Sequence, residues 1–195
     1  NDGKQQTFVL LDDWAPNQRT LGRTEALVEL AWRYFRSHGP TTVTDFAGWS
    51  GLTLTDSRAG AAANADRLRS VEYAGELLWM SSDIAQHLAD GLPAQPTRAL
   101  PGFDEFVLGY KDRRVQIAPE HFEAIVPGGN GVFRSTICID GRAVATWTRT
   151  IRRDRVDVDV IPFEPFSKGR TAEASAALER YAQFLGLPLR LSFPR

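Results

Sequence analysis

The dipeptide Asp140-Gly141 stands between two runs that alternate apolar and polar residues, Val132 to Ile139 and Arg142 to Ile151. A two-residue type I′ turn needs positive φ at both central positions, which an Asp-Gly pair tolerates and most pairs do not. The chain is therefore expected to fold back here as an antiparallel pair. The pattern continues through a polar tip, Arg152-Arg153-Asp154-Arg155, into a third alternating run, Val156 to Ile161. Upstream, Phe122 to Val126 reads as a further segment leading into the flexible hairpin Pro127-Gly128-Gly129-Asn130-Gly131. These signals predict an antiparallel meander, able to curl toward a barrel. Thr171 starts a last amphipathic helix with Ala174, Leu178, Tyr181, Phe184 and Leu185 inward and Gly186 at its end. Leu189 to Phe193 then forms a closing strand.

The first half has a different period. Thr7-Phe8-Val9-Leu10-Leu11 reads as a short strand without a preceding partner, followed by a polar connection from Asp12 to Gly22. Leu27, Leu30, Ala31, Tyr34 and Phe35 recur at three and four residues, which predicts a helix over Arg23 to Ser37, stopped by Gly39-Pro40. Thr44 is the expected N-cap of a short helix, Asp45 to Ser50, closed by Gly51. Thr55 is the expected cap of a third, alanine-rich helix, Asp56 to Leu68. Ser70 to Tyr73 and Glu76 to Met80 flank Ala74-Gly75, a hairpin signal. Three helices and a hairpin make a winged helix, a helix-turn-helix variant. A short helix near Asp83 to Leu88 and the loop Gly91 to Thr97, with Pro93 and Pro96, end this unit. The expected class is α+β: residues 1–19 a remnant strand and linker, 20–97 a winged-helix domain, 98–195 a small antiparallel β domain with a C-terminal helix.

A chain of 195 residues with 43% hydrophobic residues can bury a core of its own. Its formal net charge of -1 argues against a surface that grips nucleic acid all over, so any such contact must come from a local basic patch. Cys138 is the single cysteine, which rules out an intramolecular disulfide and suits a reducing compartment. No apolar run approaches the roughly 20 residues of a bilayer span, and Asn1-Asp2-Gly3-Lys4 lacks a secretory signal pattern. The cytoplasm is the expected location. Because residue 1 is Asn rather than Met, a part of a longer or processed protein is expected.

The run Leu100-Pro101-Gly102-Phe103-Asp104-Glu105-Phe106-Val107-Leu108-Gly109-Tyr110-Lys111-Asp112-Arg113 joins the two halves. Together with His38-Gly39-Pro40, Asp45 to Leu52 and Asp140-Gly141-Arg142, it resembles the AlkZ-like, or YcaQ-like, winged-helix DNA glycosylases of bacteria. The resemblance extends from the first helix to about Phe166. It implies a concave DNA-binding surface built from winged helices and a β domain, and hydrolysis of the N-glycosidic bond of alkylated or crosslinked bases by water. It also implies a catalytic Gln-x-Gln or Gln-x-Asp motif in a more amino-terminal segment, where polar side chains hold the attacking water and stabilise charge on the sugar. Gln5, Gln6, Gln18, Gln86, Gln95, Gln116 and Gln183 do not match that motif, so no catalytic residue carries over.

Several residues remain as candidates for binding. Arg149, Arg152, Arg153 and Arg155 cluster at a hairpin tip, with Arg142 on a neighbouring turn. Guanidinium groups there suit phosphate oxygens, and a solvated tip that discourages edge pairing suits them equally. Arg58, Asn64 and Arg67 lie on the third helix, which enters the groove in DNA-reading winged helices. Its alanines and Asp56 and Asp66 favour a scaffold with some phosphate contact over base reading. Lys111 and Arg113 belong to the junction run that would face DNA. Asp104 is expected to cap a turn or to pair with Arg113 or Arg114. In a strand it would point away from Glu105.

His38 is expected to act as a cation at a helix C-terminus. His121, near Glu120 and Glu123, has only weak metal or acid-base potential, and no Cys/His spacing suits zinc. No metal or cofactor is expected. Cys138, Trp32, Trp49 and Trp79 read as core, and Trp147 as core or as a partly exposed base-stacking residue. The expected partner is duplex DNA, held weakly and without sequence preference. The alternatives are a non-catalytic DNA-binding or regulatory protein and a protein-interaction scaffold.

Overall fold

A computed structural model describes residues 6–193, and Asn1 to Gln5 lie outside it. The expected strand at Thr7 to Leu11 is absent. Residues 6–10 are irregular and Leu11–Trp14 forms a helical turn, α1. An unpaired strand leaves its ladder groups without partners, whereas a turn with Asp12 and Asp13 at its amino end closes its own bonds.

Arg23–His38 forms α2, with Ala31, Tyr34 and Phe35 buried. Val43–Ser50 forms α3, whose cap is Thr42 and not Thr44. Thr42 Oγ1 accepts the Asp45 N–H while Asp45 accepts the Thr42 N–H, a capping box. Leu54–Ala62 forms α4, capped by Thr53 rather than Thr55. It stops well short of Leu68, where successive turns carry the chain into β1, Leu68–Tyr73. Ala74 and Gly75 both take positive φ, +53° and +79°, and β2, Glu76–Ser81, returns antiparallel. Thr41 and Trp79 exchange backbone hydrogen bonds and tie the α2–α3 connection to β2. Ala31, Tyr34, Phe35, Phe46, Ala61 and Leu68 form the core of this unit, and Ser82–Asp90, α5, closes it.

The second half is a five-stranded sheet in the order β3-β4-β5-β6-β7. Its strands are Arg98–Leu100, Thr136–Ile139, Arg142–Ile151, Val156–Pro162 and Leu189–Ser192. Asp140 and Gly141 take φ of +48° and +76°, as the hairpin signal requires. The expectation of an all-antiparallel sheet needs correction, because β6 and β7 pair in parallel. The crossover that parallel strands demand is α8, Lys168–Leu185, which begins after the cap Ser167 and so before Thr171. Ala174, Leu178 and Ala182 of α8 pack on Ile137, Ala145, Trp147, Val156, Val158 and Val160. Phe184 lies off that stripe and is 85% exposed, not inward.

On the other side of the sheet, Val107, Ile117, Ile125, Val126, Phe133, Cys138 and Ala143 form a further core. Glu105–Leu108 is a helical turn, α6, so the junction run is not a strand. Phe122–Ile125 is another, α7, where an extended segment was expected. Helical spacing buries Ile125 while Phe122 packs against the same cluster. Pro127–Gly129 continues as a 3-10 turn rather than a hairpin, and Gly128 N–H donates to Glu123. The fold is mixed α+β, with antiparallel pairing in both sheets and a C-terminal helix.

Candidate nucleic-acid interface

The junction run folds against the end of α2 and the start of α3. Asp45 is buried, and its two carboxylate oxygens accept four hydrogen bonds. Thr41 Oγ1 at 3.1 Å, Thr42 N at 3.1 Å and Thr42 Oγ1 at 2.7 Å meet Oδ2, and Lys111 N–H meets Oδ1 at 2.7 Å. Tyr34 donates its hydroxyl to the Gly109 carbonyl, and Tyr110 donates to the His38 carbonyl at 2.9 Å. Burial pushes both phenols upward in pKa, helped by the nearby Asp45 charge. Glu105 Oε1 accepts from Trp49 Nε1 and from His38 Nε2. His38 stacks on Tyr34 with centroids 4.4 Å apart, so it is a bridge between units rather than a lone helix-end cation. Gly109 must be glycine here, since a Cβ would stand 2.9 Å from both the Glu105 carbonyl and the His38 ring. Sequence reasoning placed the junction in this run but missed the side-chain bonds that latch it, although Thr42-x-x-Asp45 is a legible capping pair.

The structure separates the expected contact residues into groups. At the tip, Asp157 accepts from Arg155 Nε at 2.8 Å and from Arg152 Nε at 3.0 Å. Those bonds, Arg155's first, hold the Asp157 carboxyl below its ordinary range. Two of the tip guanidinium groups are therefore already engaged. Arg149 lies over the Tyr181 ring at 5.6 Å, and Arg153 is exposed with no partner among the described residues. Arg142 is not beside this tip. It starts β5 and lies about 23 Å of strand from Arg149, next to His121, Phe163 and Arg170.

On the helical side, Arg58 is exposed on α4 and Arg67 covers Trp32, 3.6 Å from the ring centroid. Asn64 must be withdrawn as a contact residue. It is 1% exposed, and its amide nitrogen donates to the Val28 carbonyl of α2 and the Gly60 carbonyl of α4, tying the two helices together. Arg113 must be withdrawn too, because its Nε donates to the Val107 carbonyl at 2.7 Å and its guanidinium sits over Phe133. Lys111 keeps an exposed side chain on an anchored backbone.

The remaining candidates are structural. Asp104 caps α6 by accepting the Phe106 N–H, and Asp112, not Asp104, pairs with Arg114. Trp147 is core, its indole donating to the Leu100 and Thr136 carbonyls. Trp49 is not core, being 44% exposed. Burial pushes the Cys138 thiol up to about 11. His121 stacks on Phe163, and no group of His, Cys, Asp and Glu among the described residues could hold a metal ion. Among those residues no helix is long and apolar enough to cross a membrane.

Comparison with known proteins supplies the family. The family described as DNA glycosylase AlkZ-like matches residues 1–184. An interstrand DNA cross-link repair glycosylase of Streptomyces sahachiroi is 31% identical over 157 residues, covering 75% of this chain and 41% of that protein. The solved structure of Streptomyces sahachiroi DNA glycosylase AlkZ superposes with a TM-score of 0.79 at 26% identity, covering 98% of this chain and 53% of that one. The chain thus spans about half the length of these relatives. With its junction run, both hairpins and strands β1 to β6 inside the matched region, the chain belongs to the AlkZ-like DNA glycosylase family.

Proposed function

We propose that this chain is the DNA-holding part of a base-excision repair glycosylase. In this reading α2, α3 and α4 with the β1–β2 wing form a winged helix over residues 20–97, and residues 98–195 form the β domain beside it. The observation that carries the reading is the likeness over 98% of the chain to a DNA glycosylase. Contact is to the phosphate backbone, from Arg149 and Arg153 at the β5–β6 tip, Arg58 and Arg67 on the helical side, and Lys111 between them. Arg152 and Arg155 shape the tip through Asp157. Hydrolysis is assigned elsewhere, because no Gln-x-Gln or Gln-x-Asp occurs in these 195 residues.

Fluorescence anisotropy with a short duplex at two salt concentrations tests this. Binding weakens with salt, and Arg149→Ala with Arg153→Ala flattens the slope by about two, roughly one per lost phosphate contact. The purified chain releases no alkylated base. A salt slope untouched by the double substitution removes the tip from the interface. Absence of duplex binding favours a protein-interaction scaffold. That second reading has its own support in the wing, where Val71, Tyr73 and Leu77 are exposed beside Glu72 and Glu76, a surface that repels phosphate.

A further inference from the structure

Three residues other than glycine have positive φ among the described residues: Ala74, Asp140 and Phe103. Ala74 and Asp140 occupy two-residue hairpin turns, where the turn type demands that conformation. Phe103 does not. It lies between β3 and α6 at φ +59°, where a bulky side chain is a steric outlier. Burial does not repay the strain, because Phe103 is 57% exposed and meets Phe133 only at a 6.4 Å centroid separation. Phe184 and Trp14 are also exposed, but on helical backbone that carries no such outlier.

The backbone around Phe103 is fixed from every side. Its N–H donates to the Phe133 carbonyl at 3.2 Å, and a Cβ on Gly102 would come within 2.9 Å of that same oxygen. Leu100 pairs with Thr136 and accepts the Trp147 indole N–H at 2.9 Å. Asp104 is locked as the cap of α6. The turn therefore presents an aromatic ring to solvent on a scaffold that cannot relax. On the same run lie the exposed Lys111 side chain and Glu105, which holds the half-exposed Trp49 indole.

We propose that Phe103 is a preorganised wedge that stacks on the bases of bound duplex DNA and unstacks a base step at the junction. Apolar wedges of this type separate base steps in other DNA-bending proteins, and stacking on an aromatic face tolerates any base. The proposal rests on the duplex-binding reading above.

The test compares Phe103→Gly, which fits the left-handed backbone, and Phe103→Trp, which keeps the stacking face, with the unsubstituted chain. The probe is a short duplex carrying 2-aminopurine, whose fluorescence rises when it is unstacked. Phe103→Gly is expected to melt at an equal or higher temperature, to lose the fluorescence rise and to bind about tenfold more weakly, with the salt slope unchanged. Phe103→Trp restores the rise. A lower melting temperature for Phe103→Gly makes Phe103 a packing residue and overturns the proposal, as does an unchanged fluorescence rise. If either occurs while the salt-dependent anisotropy persists, the duplex-binding reading stands without the wedge. If the unsubstituted chain binds no duplex, both fall.

Discussion

At the scale of single residues, Asp45 carries the greatest burden. Each of its oxygens faces only donors, three at Oδ2 and one at Oδ1. Asp45→Asn has nearly the same shape but turns one acceptor into a donor, so in either orientation a donor meets a donor. A buried unsatisfied pair costs roughly 1–3 kcal/mol. Urea unfolding should therefore show a loss of about 2 kcal/mol, and a change below about 0.5 kcal/mol would mean that water replaces the lost bond. Alkaline pH addresses a second set. Burial raises the Cys138 thiol from 9.0 to about 11 and raises Tyr34 and Tyr110 above their ordinary value of 10.0. A group whose folded pKa is raised contributes its full stability below the unfolded value and loses it as pH rises toward the folded one. Stability should thus hold to about pH 9 and fall beyond it, with Cys138 alone responsible for about 2–3 kcal/mol between 9 and 11. Cys138→Ala should flatten that first decline in urea titrations at pH 8 and pH 10.5, and an unchanged decline would assign it to the tyrosines.

At the scale of elements, what could be read from sequence was whatever is decided locally. Asp140-Gly141 and Ala74-Gly75 foretell both hairpins, since positive φ at two adjacent residues is a local steric requirement. The helix starts were misplaced at Thr44 and Thr55 because each has a second threonine two positions earlier. The structure chooses Thr42 and Thr53, the members with an aspartate three residues on, Asp45 and Asp56. The α7 turn was hidden because Phe122, Ile125 and Val126 satisfy helical spacing in a segment too short to outweigh alternation. The parallel placement of β7 is a matter of tertiary packing by α8, which no pattern within Leu189–Ser192 reveals. The β1–β2 hairpin offers a direct check of the turn argument. Ala74 holds φ +53° without a side chain that compensates locally. Relief of about 1–2 kcal/mol of left-handed strain, less the greater chain entropy of glycine, predicts that Ala74→Gly stabilises the protein by about 0.5–1 kcal/mol. A lower melting temperature would mean that the turn relaxes around alanine.

At the scale of the whole molecule, the question is what makes two units with separate cores behave as one. The helical unit is centred on Phe35 and Phe46, and the sheet has its own clusters on both faces. Among the described residues, five hydrogen bonds cross between residues 23–90 and 98–193, and all run through Glu105 to Lys111. Their partners lie 56 to 75 residues apart, which is why the run was recognisable as a junction in sequence while its latch was not. At about 1 kcal/mol net for each bond, the coupling is a few kcal/mol, comparable to the margin that separates one cooperative transition from two. Tyr34→Phe with Tyr110→Phe deletes two of the five while keeping both rings in place. The unsubstituted chain should unfold in one calorimetric peak, and the double variant in two, with protease cutting first in the Gly91–Thr97 linker. A single peak merely displaced to lower temperature would locate the coupling in the linker itself, where Thr97 bonds Glu173 and Arg180 of α8. In the first case, the latch sets the angle between helical unit and sheet. Under the proposed duplex-binding reading, Arg58 and Arg67 of the helical unit can then meet the same duplex as Arg149 and Arg153 of the tip only while Asp45, Tyr34 and Tyr110 hold.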